Sequence, residues 1–535
     1  MATKDTSGRV THEVGASLNH RQIMLSLSGL MVGMFIAAID QTIVATALPA
    51  IVTDLGGLKY LSWVIVGYLL TSTASTPLWG KIGDLYGRRR MFQLAVVIFL
   101  IGSLMCGLAP SMLPLIIGRL VQGIGGGGLY ALCFGIVGDL VPPRQRGRYI
   151  GYFAGMFATA GVIGPLVGGL ITDSIGWRWI FTINLPIGIA SLAVTAVTLH
   201  LPSTRREARL DLVGATVLVA GVICLILASV WGGDTYAWAS AQIIGLGAAA
   251  LVLLALFLVW ENQVAEPILP LRLFGNKVVA TLFALSFLMG PVFYAASAFI
   301  PLFMQGVKGF TATESGLMLA PNAAGMSIAA IITGRLTTRT GKYKHWVVIG
   351  TGVLIADVVL LARLDALWST WHIAVLMVLI GLALGMVLPV LSTASQNAVE
   401  LSDLGVVTAA VTFFRTLGGT FGIAVFGAVL RARFDGRLSE VARTTTLPEG
   451  TTARSLADRP AEIHGLLEPL KGLVQEAMAH AVGAVFLAAI PIAVVVFILA
   501  LVLEELPLRT STTLNAGQSD EARAEVAAAA AESLA

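Results

Sequence analysis

The chain is predicted to be an all-α polytopic membrane protein, and three observations predict it. Hydrophobic residues make up 56% of its 535 positions and charged residues only 12%, with a mean hydropathy of +0.86, a balance that does not describe a soluble surface. Apolar runs long enough to cross a hydrocarbon core of ~30 Å recur from Ile23 to Leu503. Basic residues collect in the short turns between these runs, where they orient a membrane protein.

Residues 1–21 are polar and carry both signs, so no cleavable signal peptide is expected, and the first apolar run is too long to be one. The spans follow at 23–51, 61–79, 91–109, 112–140, 149–172, 179–201, 211–231, 241–260, 279–304, 316–334, 346–362, 372–392, 406–430 and 481–503, fourteen in all. An even number places both termini on one side. With the N-terminus cytoplasmic, the short inner turns hold sixteen Lys and Arg, among them Lys81, Arg88, Arg89 and Arg90. The short outer turns hold four: Lys59, Arg178, Lys308 and Arg363. Both termini are therefore expected in the cytoplasm, with a long outer loop at 431–480 and an acidic, alanine-rich tail.

Other classes are excluded by what the residues do not supply. A net charge of +4 is too small to argue for nucleic acid. The three cysteines, Cys106, Cys133 and Cys224, lie inside apolar runs and form no metal pair. There is no GxxxxGK[ST] phosphate loop and no HExxH spacing. The expectation is a non-enzyme without cofactor or nucleotide, whose partners are a small molecule, protons and the bilayer.

A repeat divides the chain. "GKIGDLYGRRR" (Gly80 to Arg90) has an echo in "GRLTTRTGKYK" (Gly334 to Lys344): Gly80, Gly87 and Arg88 correspond to Gly334, Gly341 and Lys342, while Thr338 replaces Asp84. Glycine-punctuated spans, "LVQGIGGGG" and "LIGLALGMV", follow each copy. The organisation read from this is a cytoplasmic segment 1–22, a six-helix bundle 23–201, two additional helices within 202–278, a second bundle 279–503 and a tail 504–535. Parallel six-helix repeats place a transporter's site between the halves near the midplane.

Ionisable groups inside spans are expensive and mark function. Asp40, in "FIAAIDQTIVATALP", is the only charge between Arg21 and Asp54, and it lies roughly 25 Å from the cytoplasmic end of its helix. Arg119, in "LIIGRLVQGIGGG", lies about 10 Å in from the outer end of the fourth span. At overlapping depths the two can neutralise each other, so loss of the pairing on protonation would make a switch. A purely structural pair is the alternative. Arg415, in "VTFFRTLGGTFG", is a second mid-membrane cation, suited to an anionic substrate or to a carboxylate that loses a proton. Asp357 falls on a span that is peripheral in such repeats. Asp139, Glu261 and Arg335 sit at span ends, where snorkelling explains them. In "ATAGVIGPLVGG", Gly161, Gly164, Gly168 and Gly169 form a side-chain-free stripe beside Pro165, predicting close packing and a bend. Span nine offers Phe287 and Tyr294 to a lipophilic ligand, and Gln41 and Gln122 are placed with them in the substrate cavity.

These stretches resemble a known family. "GKIGDLYGRRR" is similar to the loop 2–3 signature of the major facilitator superfamily, "LIIGRLVQGIGGG" to its fourth-helix motif, "GPLVGG" to the fifth-helix antiporter motif, and "AIDQTIVATALPAI" to the first-helix motif of the fourteen-helix drug:proton antiporters. The resemblance implies that Asp84, Arg88 and Asp139, with Gly80 and Gly87, latch the halves on the cytoplasmic side. It implies Asp40 and Arg119 for proton coupling, to which the residues themselves add Arg415, and Gly164–Pro165 for a hinge, although Ala160 stands where that motif has a glycine. The implied function is proton-coupled efflux of hydrophobic, often cationic compounds across the cell membrane. A dedicated exporter of one metabolite, lipid or antibiotic is an alternative, and a non-transporting sensor or scaffold is another.

Overall fold

The computed structural model describes residues 20–55, 61–141, 143–199, 211–232, 236–264, 267–400, 403–444 and 460–508, with positions 3–4, 10–11 and 456. With no water in a bilayer core, backbone groups there must bond within their own helix, and the apolar runs form helices accordingly. The first half contains α1 (His20–Leu55), α2 (Leu61–Tyr86), α3 (Arg88–Gly107), α4 (Met112–Leu140), α5 (Pro143–Ser174), the short α6 (Trp179–Thr182) and α7 (Asn184–Thr198). Next come α8 (Leu212–Trp231), α9 (Ala241–Glu261) and the single turn α10 (Arg272–Gly275). The second half is α11 (Lys277–Gly306), α12 (Ala312–Leu317), α13 (Ala320–Thr340), α14 (Lys344–Leu361), α15 (Thr370–Asn397), α16 (Leu404–Thr444) and α17 (Leu470–Val502). The only strands among the described residues are the two-residue pair Thr3–Lys4 and Val10–Thr11.

The fourteen predicted spans are all present as helices, with α6–α7 and α12–α13 each forming one span from two pieces. Thirteen helical stretches among the described residues are long and apolar enough to cross a membrane. The exception is α2, whose centre reads Thr71-Ser72-Thr73-Ala74-Ser75-Thr76. Two of its hydroxyls bond across to α4: Thr71 donates to the Leu120 carbonyl at 2.7 Å and Ser75 to that of Ile124 at 3.3 Å.

Helices α1–α7 pack on one another, α11–α17 do the same, and α8 pairs with α9 and leans on α2 and α16. The two halves meet chiefly through α5 against α13 and through α2 and α4 against α16. The repeat is visible in the backbone: Gly87 and Gly341 both take a positive φ, 92° and 72°, a conformation that a side chain disfavours.

Two expectations are corrected. The turn between spans two and three is narrower than the span boundaries at 79 and 91 imply, because α2 continues to Tyr86 and Gly87 alone separates it from α3. The predicted loop 431–480 is helical at both ends, since α16 runs to Thr444 and α17 begins at Leu470, with a 3-10 turn at Pro460–Gly465. Helices carrying mixed charge past the apolar stretch lower hydropathy without losing helical geometry. The tail from Arg509 lies outside the described residues. Just before it, Glu505 accepts from the Tyr343 N–H at 2.6 Å and Asn397 donates to the Pro507 carbonyl at 3.1 Å.

Candidate functional site: a membrane ion pair, a charged latch and the seam between halves

Asp40 and Arg119 meet in the interior of the first half, 1% exposed each. Arg119 NH1 reaches Asp40 Oδ2 at 2.5 Å. The other carboxylate oxygen accepts from Gln122 Nε2 at 2.8 Å and Asn184 Nδ2 at 3.1 Å. Both amides also donate to Ser103 Oγ, at 2.8 and 3.1 Å. Arg119 donates from NH1 to Gln122 Oε1 at 2.7 Å and from Nε to the Val64 carbonyl at 2.9 Å, and its guanidinium lies 4.6 Å from the Tyr68 ring centroid. Five helices, α1, α2, α3, α4 and α7, thus converge on one ion pair. Buried charge is tolerated when its remaining hydrogen-bonding positions are filled in this way.

Gln122 is therefore not a cavity residue as the sequence suggests. It sits one turn beyond Arg119 on the same face of α4, is fully buried and holds the ion pair. Ser103 and Asn184 were not legible: each is a lone small polar residue in an apolar run, and only the packing of α3 and α7 against α4 gives it a partner.

The second cluster lies at the end of the bundle that carries the basic turns. Because Gly87 reverses the chain in one residue, Arg88 opens α3 directly above Asp84. Arg88 donates to Asp84 Oδ1 from Nε at 2.9 Å and NH2 at 2.6 Å, and from NH1 to Asp139 Oδ1 at 2.7 Å and the Gly135 carbonyl at 2.5 Å. One guanidinium so ties the end of α2 to the end of α4. The Asp84 carboxylate also reaches the other half, against the first turn of α16, where a Cβ on Gly405 would overlap it and the Val406 N–H acts on it. A carboxylate suits the positive end of a helix.

Gly80 belongs to the same contact and not to a turn. A Cβ there would lie 2.6 Å from Ala409 Cβ and 2.9 Å from the Gly405 carbonyl on α16. The Gly80→Val protein is expected to disfavour this closed end by about 1–3 kcal/mol, the usual cost of overpacking. Distances between spin labels on α2 and α16 should lengthen, and unchanged distances would count against the contact. A residue that sequence reasoning missed joins the halves nearby: Gln396 of α15 donates to the Phe134 carbonyl of α4 at 3.2 Å and to Thr408 Oγ1 of α16 at 2.9 Å. At the repeat position of Asp84, Thr338 bonds the Gly334 carbonyl of its own helix at 2.8 Å.

The glycine stripe of α5 divides by position. A Cβ on Gly164 would overlap Thr42 Oγ1, so α1 and α5 touch there, and Thr42 donates to the Ala160 carbonyl at 3.3 Å. Gly161 meets nothing within 4 Å, which corrects its assignment to the packed stripe: the contact with α1 is made at Gly164, and one turn earlier the helix faces open space. Gly168 is buried and Gly169 half-buried, while the side chain of Pro165 lies outside the described ones.

Between the halves, partly open polar and aromatic side chains face one another. Gln41 donates to Tyr130 Oη at 3.2 Å, and Tyr130 stacks on Phe157 with centroids 5.7 Å apart. From the second half come Tyr294, Phe287 and Arg415, all half-buried. Arg415 is not brought to the Asp40 pair. Its electrostatic neighbours are Tyr294 and Tyr130. Asp357 is fully buried on α14 and neither of its oxygens has a hydrogen-bond partner.

Two helical halves sharing a repeat, a seam between them and an ion pair inside the membrane define a polytopic membrane transporter. A family model described as Major Facilitator Superfamily matches residues 30–423, and the chain belongs to that superfamily. It is 39% identical over 450 residues to the multidrug transporter protein MdtP of Bacillus subtilis, covering 84% of this chain and 81% of that one. It is 37% identical over 435 residues to multidrug resistance protein 3 of the same organism, covering 81% and 85%. The solved structure of the proton:xylose symporter XylE shares the fold, with a TM-score of 0.63 at 14% identity over 93% of this chain and 99% of that one.

Proposed function

We propose that this transporter is a proton-coupled efflux antiporter: a proton enters through the Asp40–Arg119 pair as a hydrophobic compound leaves through the seam. The observation that carries the reading is the ion pair itself. A carboxylate whose single charge partner is a guanidinium 2.5 Å away loses that attraction when it takes up a proton, and the helices that meet on the pair are released with it. The names of the Bacillus relatives, both multidrug proteins, support efflux over the dedicated-exporter and scaffold readings. The basic turns favour a cytoplasmic location for both termini, in the cell membrane. The Asp84–Arg88–Asp139 cluster, with Gly80 and Gly87, serves as the cytoplasmic latch, and α5 at Gly164 and Pro165 as the hinge.

The test is dye extrusion from a host lacking its own pumps. Export is expected to stop when a protonophore collapses the gradient and to persist without sodium. Export that survives the protonophore but stops on sodium removal would overturn proton coupling.

A further inference from the structure

The seam holds one cation that neither the ion pair nor the latch uses. Arg415 lies about 16 Å along α16 from its first residue, at the 1.5 Å rise of a helix, and so deep in the membrane-spanning part. Among the described residues it makes no ion pair, and the groups that act on it are two phenol hydroxyls, with no carboxylate. One of these, Tyr294, is on α11 of its own half, where the ring lies against α16 so closely that a Cβ on Gly419 would overlap it. The other, Tyr130, is on α4 of the opposite half. Arg415 stands one turn before Gly419 on α16, so its side chain leaves the helix on the side that Tyr294 packs against, toward the seam and not the lipid. Its surroundings are half-buried, so a ligand entering between the halves can reach it.

Of the other charges at this depth, Asp357 lies on α14, which packs on α15 and α17 of its own half and not on the seam, and Asp40 is already neutralised. Asp40 is 1% exposed and bound by Arg119, Gln122 and Asn184, so it presents no negative surface to the seam. The latch carboxylates lie at the far end of the bundle on Arg88. An uncompensated buried cation is costly and attracts an opposite charge. Arg415 offers a planar fork that matches a carboxylate or sulfonate, and Tyr130, Tyr294 and Gln41 add neutral donors around it. Phe157 stacked on Tyr130 and Phe293 packed edge-on against Tyr294 at 4.8 Å supply flat apolar walls.

We propose that the cargo is an amphipathic organic anion, an acidic group on a flat hydrophobic body, and that Arg415, flanked by Tyr130 and Tyr294, binds its acid. The inference rests on the efflux reading and reverses one expectation drawn from the sequence, that the cargo is often cationic. A lipophilic cation would meet a bare guanidinium where the seam offers no carboxylate to receive it.

Two xanthene dyes of similar shape and opposite charge, fluorescein and rhodamine 123, decide it. In liposomes holding the full chain and an imposed pH gradient, fluorescein should be carried in preference to rhodamine 123. Arg415→Gln should raise the KM for fluorescein at least about tenfold, the loss of one charge-assisted contact, while Arg415→Lys retains part of it. Rhodamine 123 should gain in Arg415→Gln, a change that mere misfolding cannot produce. Preference of the native protein for rhodamine 123, or an unchanged fluorescein KM in Arg415→Gln, overturns the proposal. If neither dye crosses under the gradient, the efflux reading fails by itself. Equilibrium fluorescein binding to the purified protein then decides the site: binding lost in Arg415→Gln and partly kept in Arg415→Lys upholds it, and absence of binding sinks it.

Discussion

The Asp40→Asn protein is expected to reach the membrane, bind cargo and exchange it between the two sides, yet show no uphill export. Asparagine matches the carboxylate in shape and keeps one acceptor oxygen, which can serve Gln122 and Asn184 while its amide nitrogen takes the place of the oxygen that accepts from Arg119. What is lost is the charge. Arg119 then remains positive whether or not protons are abundant, and the two arrangements that a proton would distinguish become one. Breaking a buried pair by removing one partner outright costs about 3–5 kcal/mol, so Asp40→Ala should unfold measurably earlier than Asp40→Asn. The Val64 carbonyl and the Tyr68 ring limit the damage by holding the guanidinium in place. Gradient-driven efflux at the native rate by Asp40→Asn would remove this residue from coupling.

Arg88→Ala carries the second large effect. It strips two carboxylates, Asp84 and Asp139, and the Gly135 carbonyl of one shared donor. Two acids then face each other with the side chain of Asp84 only 13% exposed. The cost should approach the 3–5 kcal/mol of a broken buried pair, reduced because Asp139 is 33% exposed and partly screened. Transport should fall at least tenfold, at about 1.4 kcal/mol per decade. Arg88→Lys should rescue little, since an ammonium cannot span two carboxylates and a carbonyl with one planar fork. Adding Asp84→Asn and Asp139→Asn to Arg88→Ala should recover part of the lost thermal stability, because the uncompensated charges go with their partner. A triple variant no more stable than the single one would show that the guanidinium acts by packing alone.

How far the site was legible depended on the kind of signal. Asp40 and Arg119 stood out because a charge in an apolar run is rare, and helix rise alone put them at overlapping depths. The charged pairing of Asp84 with Arg88 was legible for the same reason, and so was its asymmetry, with Thr338 in the place of Asp84. Gln122 was misplaced and Ser103, Asn184 and Gln396 were overlooked, because a neutral polar residue in a span is compatible with a cavity, a lipid-facing cap or a network. Gly161 and Gly164 look equivalent in the sequence, yet only the second meets a neighbour.

The chain's own pattern determined what the solvent dictates: fourteen helices and a repeat marked by Gly87 and Gly341. A bilayer imposes those features on each segment locally, through apolar length and the need to satisfy the backbone. Tertiary structure decided everything that needs two segments at once. It turned Gly80 from a turn residue into a contact with α16, joined Asn184 to Asp40 across 144 positions, and left Arg415 without an acid. Between helices in lipid no hydrophobic force selects partners, and close packing and hydrogen bonds do so instead, so those choices are written in pairs of residues and not in any one run.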